Sequence, residues 1–287
     1  MARPSQNVAN RRRLLRPGQV SQPVKTILST ALPLLLHAVS VSALCATPSV
    51  QVYPSGPTVP ENLLRIELRF SEPLRMPLRI EQVHLADSNG VEIKDAFLDL
   101  PLPSPNGKRL TILFDPSRVK TGVGANLVLG RALHAGESVT LTIDHPALAK
   151  PIRKTWLVTA FDAESPQPAL WTFDPPRMGS RTPLVLHLDK PISSTAEDLI
   201  AIRGSDGQRI SGNAHLENGE TVWRFVPARP WRAGSYAVVT HPDLEDAAGN
   251  RPCSPLEVSV TKGGTSRAGK VVKDHYFEIV DQKAARK

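Results

Sequence analysis

From residue 47 onward, apolar and polar positions alternate with a period of two. In the stretch 63–70 (LLRIELRF), Leu64, Ile66, Leu68 and Phe70 fall on one side, and Arg65, Glu67 and Arg69 on the other. Successive side chains of a strand point to opposite faces, so this pattern predicts a strand with one buried face. The alternation recurs at Leu110, Ile112 and Phe114, at Val139, Leu141 and Ile143, at Leu184, Leu186 and Leu188, and at Leu256, Val258 and Val260. Turn signals separate these runs: Asn89-Gly90, Asp206-Gly207, Asn218-Gly219 and Gly249-Asn250. The 27 prolines oppose long helices, because proline lacks an N–H and fixes φ.

The two halves of this pattern repeat each other. Val52-Tyr53-Pro54 corresponds to Phe173-Asp174-Pro175, 64–74 to 183–192, and 83–93 to 200–210. Phe114-Asp115-Pro116 corresponds to Phe225-Val226-Pro227, and AGESVTLTIDHP (135–146) to AGSYAVVTHP (233–242). Five matches in one order point to duplication. The first copy has extra residues at about 117–134, which predict a long loop. The second runs on through DLEDAAGN (243–250) to a last strand.

The tracts VYPSGPTVPENLLRIELRFSEPLR (52–75) and PWRAGSYAVVTHPDLEDAAGNR (230–251) resemble bacterial immunoglobulin-like domains of the S-layer-protein type. The resemblance covers about residues 48–261 and implies an all-β fold and export, with no catalytic residues. Each copy has the roughly 100-residue size of such a sandwich. The expected organisation is a signal peptide at 1–46, two tandem immunoglobulin-like β-sandwich domains at 47–162 and 163–261, and a basic C-terminal tail at 262–287. Cys253 and the basic tail depart from the group's pattern.

The N-terminal segment reads as an address. NRRRLLR (10–16) precedes an apolar run from Ile27 to Ala43, with small residues at Ser42, Ala43 and Ala46. Such an order predicts a secretory signal and a periplasmic or secreted location. Retention as a membrane anchor is the competing reading, against which Pro33 and His37 interrupt the run. The arginine cluster also resembles a twin-arginine export motif, although ten residues separate it from the apolar run. Leu44 occupies the place where a lipoprotein site wants a small residue, so Cys45 is a poor lipidation site.

Charge then changes meaning with position. The chain carries a net +8, but residues 1–45 hold six basic residues and no acid, and residues 262–287 hold seven basic and three acidic ones. The part between is therefore at −2, which leaves no global basic field for nucleic acid. The two cysteines, Cys45 and Cys253, exclude a disulfide-dense scaffold and a Cys-rich zinc site. A bond between them is open if cleavage after Ala43 keeps Cys45.

Candidate chemistry is sparse. Trp156, Trp171, Trp223 and Trp231 suit core packing better than a sugar-stacking platform. Asp243, Glu245, Asp246 and Asn250 form an acidic turn without the spaced ligand ladder of a calcium loop, so a self-bonded turn with Gly249 at positive φ is expected. His145 and His241 occupy equivalent positions, each before proline, which predicts a shared structural role at a strand end. His187 alternates with apolar neighbours and should face solvent. Asp99, Asp115, Asp162 and Asp174 could pair as acid and base only if the fold brings them together. No nucleophile-elbow, P-loop or Rossmann signature occurs.

The expectation is therefore a non-catalytic exported module with no catalytic, cofactor or metal residues. Its partner would be an envelope protein or a glycan, met through sandwich-end loops such as 117–134 and the Pro-rich 100–107. Membrane contact is expected only if the signal segment is retained. A hydrolase with its site in the groove between the domains is the alternative, and a copper or calcium carrier using His145, His241 or the acidic turn is a third. The prolines of 161–181 predict restricted motion between the domains. In the tail, Tyr276, Phe277, Ile279 and Val280 form an apolar cluster that reads either as a docking segment or as a frayed end or short helix.

Overall fold

Within the described residues, the alternating runs become strands packed as two sandwiches. The computed structural model describes residues 47–120, 124–252 and 274–280. The export segment, Cys45, Cys253 and the strand expected at 256–260 lie outside the described residues.

The first sandwich contains β1 (Val50–Tyr53), β2 (Thr58–Pro60), β3 (Arg65–Phe70), β4 (Val83–Ala86), β5 (Leu102–Pro103), β6 (Arg109–Leu113), β7 (Ser138–Ile143) and β8 (Ile152–Thr159). One sheet has the order β1-β3-β6-β5 and the other β2-β8-β7-β4. The chain crosses between sheets after Tyr53, and β2 then pairs with β8 in parallel while every other pair is antiparallel. In immunoglobulin lettering this is A-B-E-D facing A′-G-F-C. Ile66, Leu68 and Ile112 of one sheet bury against Leu85, Leu141, Ile143 and Trp156 of the other. Removing such apolar area from water stabilises the pair by about 25 cal/mol per Å².

The second sandwich contains β9 (Thr172–Asp174), β10 (Leu184–His187), β11 (Ile200–Gly204), β12 (Gly212–Glu217), β13 (Val222–Pro227), β14 (Gly234–Thr240) and β15 (His275–Ile279). Its sheets run β9-β10-β13-β12 and β11-β14-β15, which is A-B-E-D facing C-F-G. The core gathers Trp171, Leu184, Leu186, Ile202, Trp223, Phe225, Trp231 and Phe277. The chain is thus all-β, with two tandem immunoglobulin-like sandwiches. Four of the five sequence correspondences fall on equivalent strands; the fifth, Phe114-Asp115-Pro116, follows β6 into the short helix Pro116–Val119, whereas Phe225-Val226-Pro227 ends β13. Even the turns after β4 and β11 close alike, through the bridges Ala86↔Glu92 and Arg203↔Arg209.

Two expectations are corrected. The apolar cluster of the tail is neither a helix nor a frayed end: 275–279 is the seventh strand of the second sandwich among the described residues, paired along β14 from Gly234↔Ile279 to Val238↔His275. Phe277 and Ile279 enter the core while Tyr276 and Glu278 point out. The segment 117–134 is not a bare loop, because it carries α1 (Pro116–Val119) and α2 (Gly124–Leu129). Asp115 caps α1 by accepting from the Ser117 N–H. Buried Arg118 fixes the segment by donating to the carbonyls of Gly130 and Lys94.

Candidate functional site at the seam between the sandwiches

Both sandwiches belong to one compact unit, Ala46–Lys287. The polar face of β3 is covered. Arg65, Glu67 and Arg69 look outward from the first core and meet loops of the second sandwich. Arg69 Nη1 donates to both oxygens of Glu197, at 3.0 and 3.2 Å, and Nη2 to the Ser194 carbonyl at 2.8 Å. Its Nε donates to Glu67 at 2.8 Å, and its guanidinium lies 4.7 Å from the centre of the Tyr53 ring. Burial works against the Arg69 charge, but the bonds to Glu67 and Glu197 outweigh it and hold the guanidinium more firmly charged than usual. Arg65 pairs with Glu245 beside it.

A second contact joins the crossover after β1 to the turn between β12 and β13. Asn218, Gly219 and Glu220 are all left-handed, with φ of 51°, 63° and 63°. Gly219 is required here twice over: a Cβ on it would lie 2.9 Å from the Gly56 Cα of the first sandwich. Glu220 is buried in a conformation that costs a non-glycine residue about 1–3 kcal/mol. Its carboxylate accepts from the Ser55 N–H at 3.0 and 3.1 Å and from the Ser55 hydroxyl. Desolvation raises the Glu220 pKa, and the Ser55 bonds offset only part of that.

The linker supplies the third contact. The Asp162 carbonyl accepts from Asn62 Nδ2 at 2.9 Å and from Asn250 Nδ2 at 3.0 Å, so one carbonyl ties an amide from each sandwich. Lys190 Nζ donates to Asp162 Oδ2 and Asp246 Oδ2, both at 2.6 Å. Burial works to lower the Lys190 pKa, and these carboxylates raise it above the ordinary lysine value.

Between these contacts lies a groove of about 510 Å³, lined by Pro57, Phe161, Asp162, Lys190, Gly219 and Glu220 among others. Of its ionisable side chains, Asp162, Lys190 and Glu220 are taken up by the bonds above, and Glu164 stands exposed at the rim. The network holds two bodies together; each of its carboxylates has at least one hydrogen-bond donor, and the second oxygen of buried Glu67 has none. Among the described residues, no group of three or more His, Cys, Asp or Glu side chains is placed to hold a metal ion.

The residues singled out from sequence find other places. All four tryptophans are buried, and each indole N–H donates: Trp156 to the Pro54 carbonyl, Trp171 to Asp189, Trp223 to the Glu197 carbonyl and Trp231 to the Thr182 carbonyl. His145 and His241 share one device. Each ring Nδ1 accepts the N–H two residues on, of Ala147 at 3.1 Å and of Asp243 at 3.2 Å. His187 is exposed. Asp246 Oδ1 accepts from the N–H groups of Ala248 and Asn250, and Gly249 has φ +82°, so the acidic turn bonds itself. Asp162 joins the seam, Asp115 caps α1, and Asp99 and Asp174 are exposed on different sandwiches. The fold does not bring these four together. The seam residues Arg69, Glu197, Ser55 and Glu220 carried no sequence signal beyond the polar side of a strand and an Asn-Gly turn.

No family model and no curated protein matches the sequence. Solved structures similar to the chain are two-domain immunoglobulin-like modules. A chimeric titin Z1Z2 carrying a decorin peptide is 14% identical, with TM-score 0.23, over 68% of this chain and 91% of that one. The Ig1-2 module of the Drosophila receptor protein tyrosine phosphatase DLAR is 10% identical, with TM-score 0.25, over 70% and 93%. Titin z1z2 in complex with telethonin is 16% identical, with TM-score 0.20, over 62% and 79%. Superpositions this loose carry no functional weight, and it is the strand order of the two sandwiches that makes them immunoglobulin-like.

Proposed function

We propose that this chain is a non-catalytic, exported module of the bacterial envelope that binds a partner through its loops, with the two sandwiches clamped in one arrangement. Tandem immunoglobulin-like sandwiches form an architecture suited to binding and structural roles. The observation that carries the reading is the seam, where Asp162, Lys190 and Glu220 are taken up in holding the sandwiches together. A groove so arranged supports a rigid spacer better than the hydrolase reading. The signal-like segment 1–46 and the tracts 52–75 and 230–251 support export and the S-layer-type resemblance.

Cell fractionation with N-terminal sequencing tests this. The expected result is protein in the periplasm or medium, shortened near Ala43, that crosslinks to a defined envelope component. Full-length chain in the cytosol, or turnover of a hydrolase substrate by the purified protein, would overturn it.

A further inference from the structure

The end of the second sandwich away from the seam is rich in arginine. Three connections meet there: β9 to β10, β11 to β12, and β13 to β14. They are tied together by backbone bonds from Gly179 N to the Trp231 carbonyl, Trp231 N to the Ser180 carbonyl, and Ala228 N to the Ser211 carbonyl. A groove of about 690 Å³ runs between the second and third connections. Arg209, Arg229 and Arg232 line it, all exposed; the Tyr236 hydroxyl bonds the backbone of Arg232, and among the described residues no side chain pairs with any of the three guanidinium groups. This differs from the seam, where Arg65 and Arg69 each meet a carboxylate. Arg177 and Arg181 are exposed on the adjoining connection, and Arg181 Nε donates to the Pro227 carbonyl.

Among the described residues the opposing acids are few. Asp206 lines the groove and bonds the Gln208 N–H, Glu278 at its edge accepts from Ser235, and Asp174 begins the adjoining connection. Guanidinium forks that no described side chain pairs, facing one concavity, match planar oxyanions bidentately. We infer that this groove binds an anionic polysaccharide through carboxylate or phosphate groups. Ser205, Ser211 and Ser235 stand among the arginines and suit a hydroxyl-bearing chain. The aromatic residues of the groove, Trp231 and Tyr236, are buried, so no ring is free to stack a nucleobase. No lining residue is an exposed large apolar side chain that would enter a lipid surface. The inference deepens the binding-module reading and rests on it.

Titration calorimetry on the mature full chain tests it, with oligogalacturonate and a phosphomannan as the carboxylate- and phosphate-bearing probes. Phosphatidylglycerol vesicles, single-stranded DNA and polyglutamate serve as competitors for the same charge. We expect one or both glycans to bind, with affinity falling as salt screens the groove. The variant R209E/R229E/R232E should lose about tenfold or more of that affinity while keeping its melting temperature. Equal binding by the variant, tighter binding to vesicles, DNA or polyglutamate, or no glycan binding at all would overturn the proposal. If the protein still crosslinks to an envelope component while no anionic glycan binds, the groove assignment alone fails.

Discussion

Arg69 of the first sandwich and Glu197 of the second meet through one guanidinium nitrogen and two carboxylate oxygens, at 3.0 and 3.2 Å. With Arg69 gone, Glu197 and buried Glu67 would face each other without a cation. Breaking a buried pair on one side costs about 3–5 kcal/mol. Arg69 retains some solvent contact, so Arg69→Ala should cost about 2–3 kcal/mol in urea denaturation. Glu197→Gln, which keeps the shape, should cost less. Equal, negligible losses for both would show that the seam adds no stability.

Glu220 gives the seam a pH dependence of definite sign. Burial raises its pKa above the ordinary value of 4.5, so the folded chain holds the proton more tightly than the unfolded one. That contribution is fully present below 4.5 and is lost as pH rises through the folded value. Glu220→Gln keeps an acceptor for Ser55 and removes the charge. Its stability should fall less steeply than wild type as pH rises above 4.5, in denaturation series at several pH values. Identical slopes would contradict this.

Phe277 ties a distant segment into the second core. Its ring lies 5.1 Å from Phe173 and 5.5 Å from Tyr236, centre to centre. Phe277→Ala should cost about 3–5 kcal/mol, measured by chemical denaturation of the second sandwich. Tyr276→Ala, beside it but exposed, should cost under about 0.5 kcal/mol.

The paired histidines separate burial from geometry. Each accepts the backbone N–H two residues on, but His145 is buried and His241 exposed. His145→Ala should cost about 1–3 kcal/mol, because a polar group loses its partner away from water. His241→Ala should be nearly neutral in the same thermal melts, since solvent replaces the ring nitrogen.

Much of the fold was legible because one face of each strand is apolar. Ile66 and Leu68 announced β3, and the match of 135–146 with 233–242 announced β7 and β14. The same alternation could not say what covers the polar face. Arg65, Glu67 and Arg69 read as a solvent side, yet Arg65 meets Glu245, and Arg69 meets Ser194 and Glu197, far along the chain. Periodicity fixes a side chain's direction and carries nothing about long-range partners. β15 was missed for another reason. Phe277 and Ile279 alternate with Tyr276 and Glu278, but 34 residues separate the strand from β14, where a hairpin connection would be short. The arginines of the distal groove were invisible because they are scattered from Arg177 to Arg232 in sequence.

That late strand shapes how the protein is made. On the side of β14 that His275–Ile279 pairs, a chain that lacks this strand exposes N–H and C=O groups which β15 would otherwise bond. Such an edge recruits strands from neighbouring molecules. Completion of the second sandwich therefore waits on His275–Ile279, and a chain cut before that strand should yield aggregates before it yields a shorter working protein.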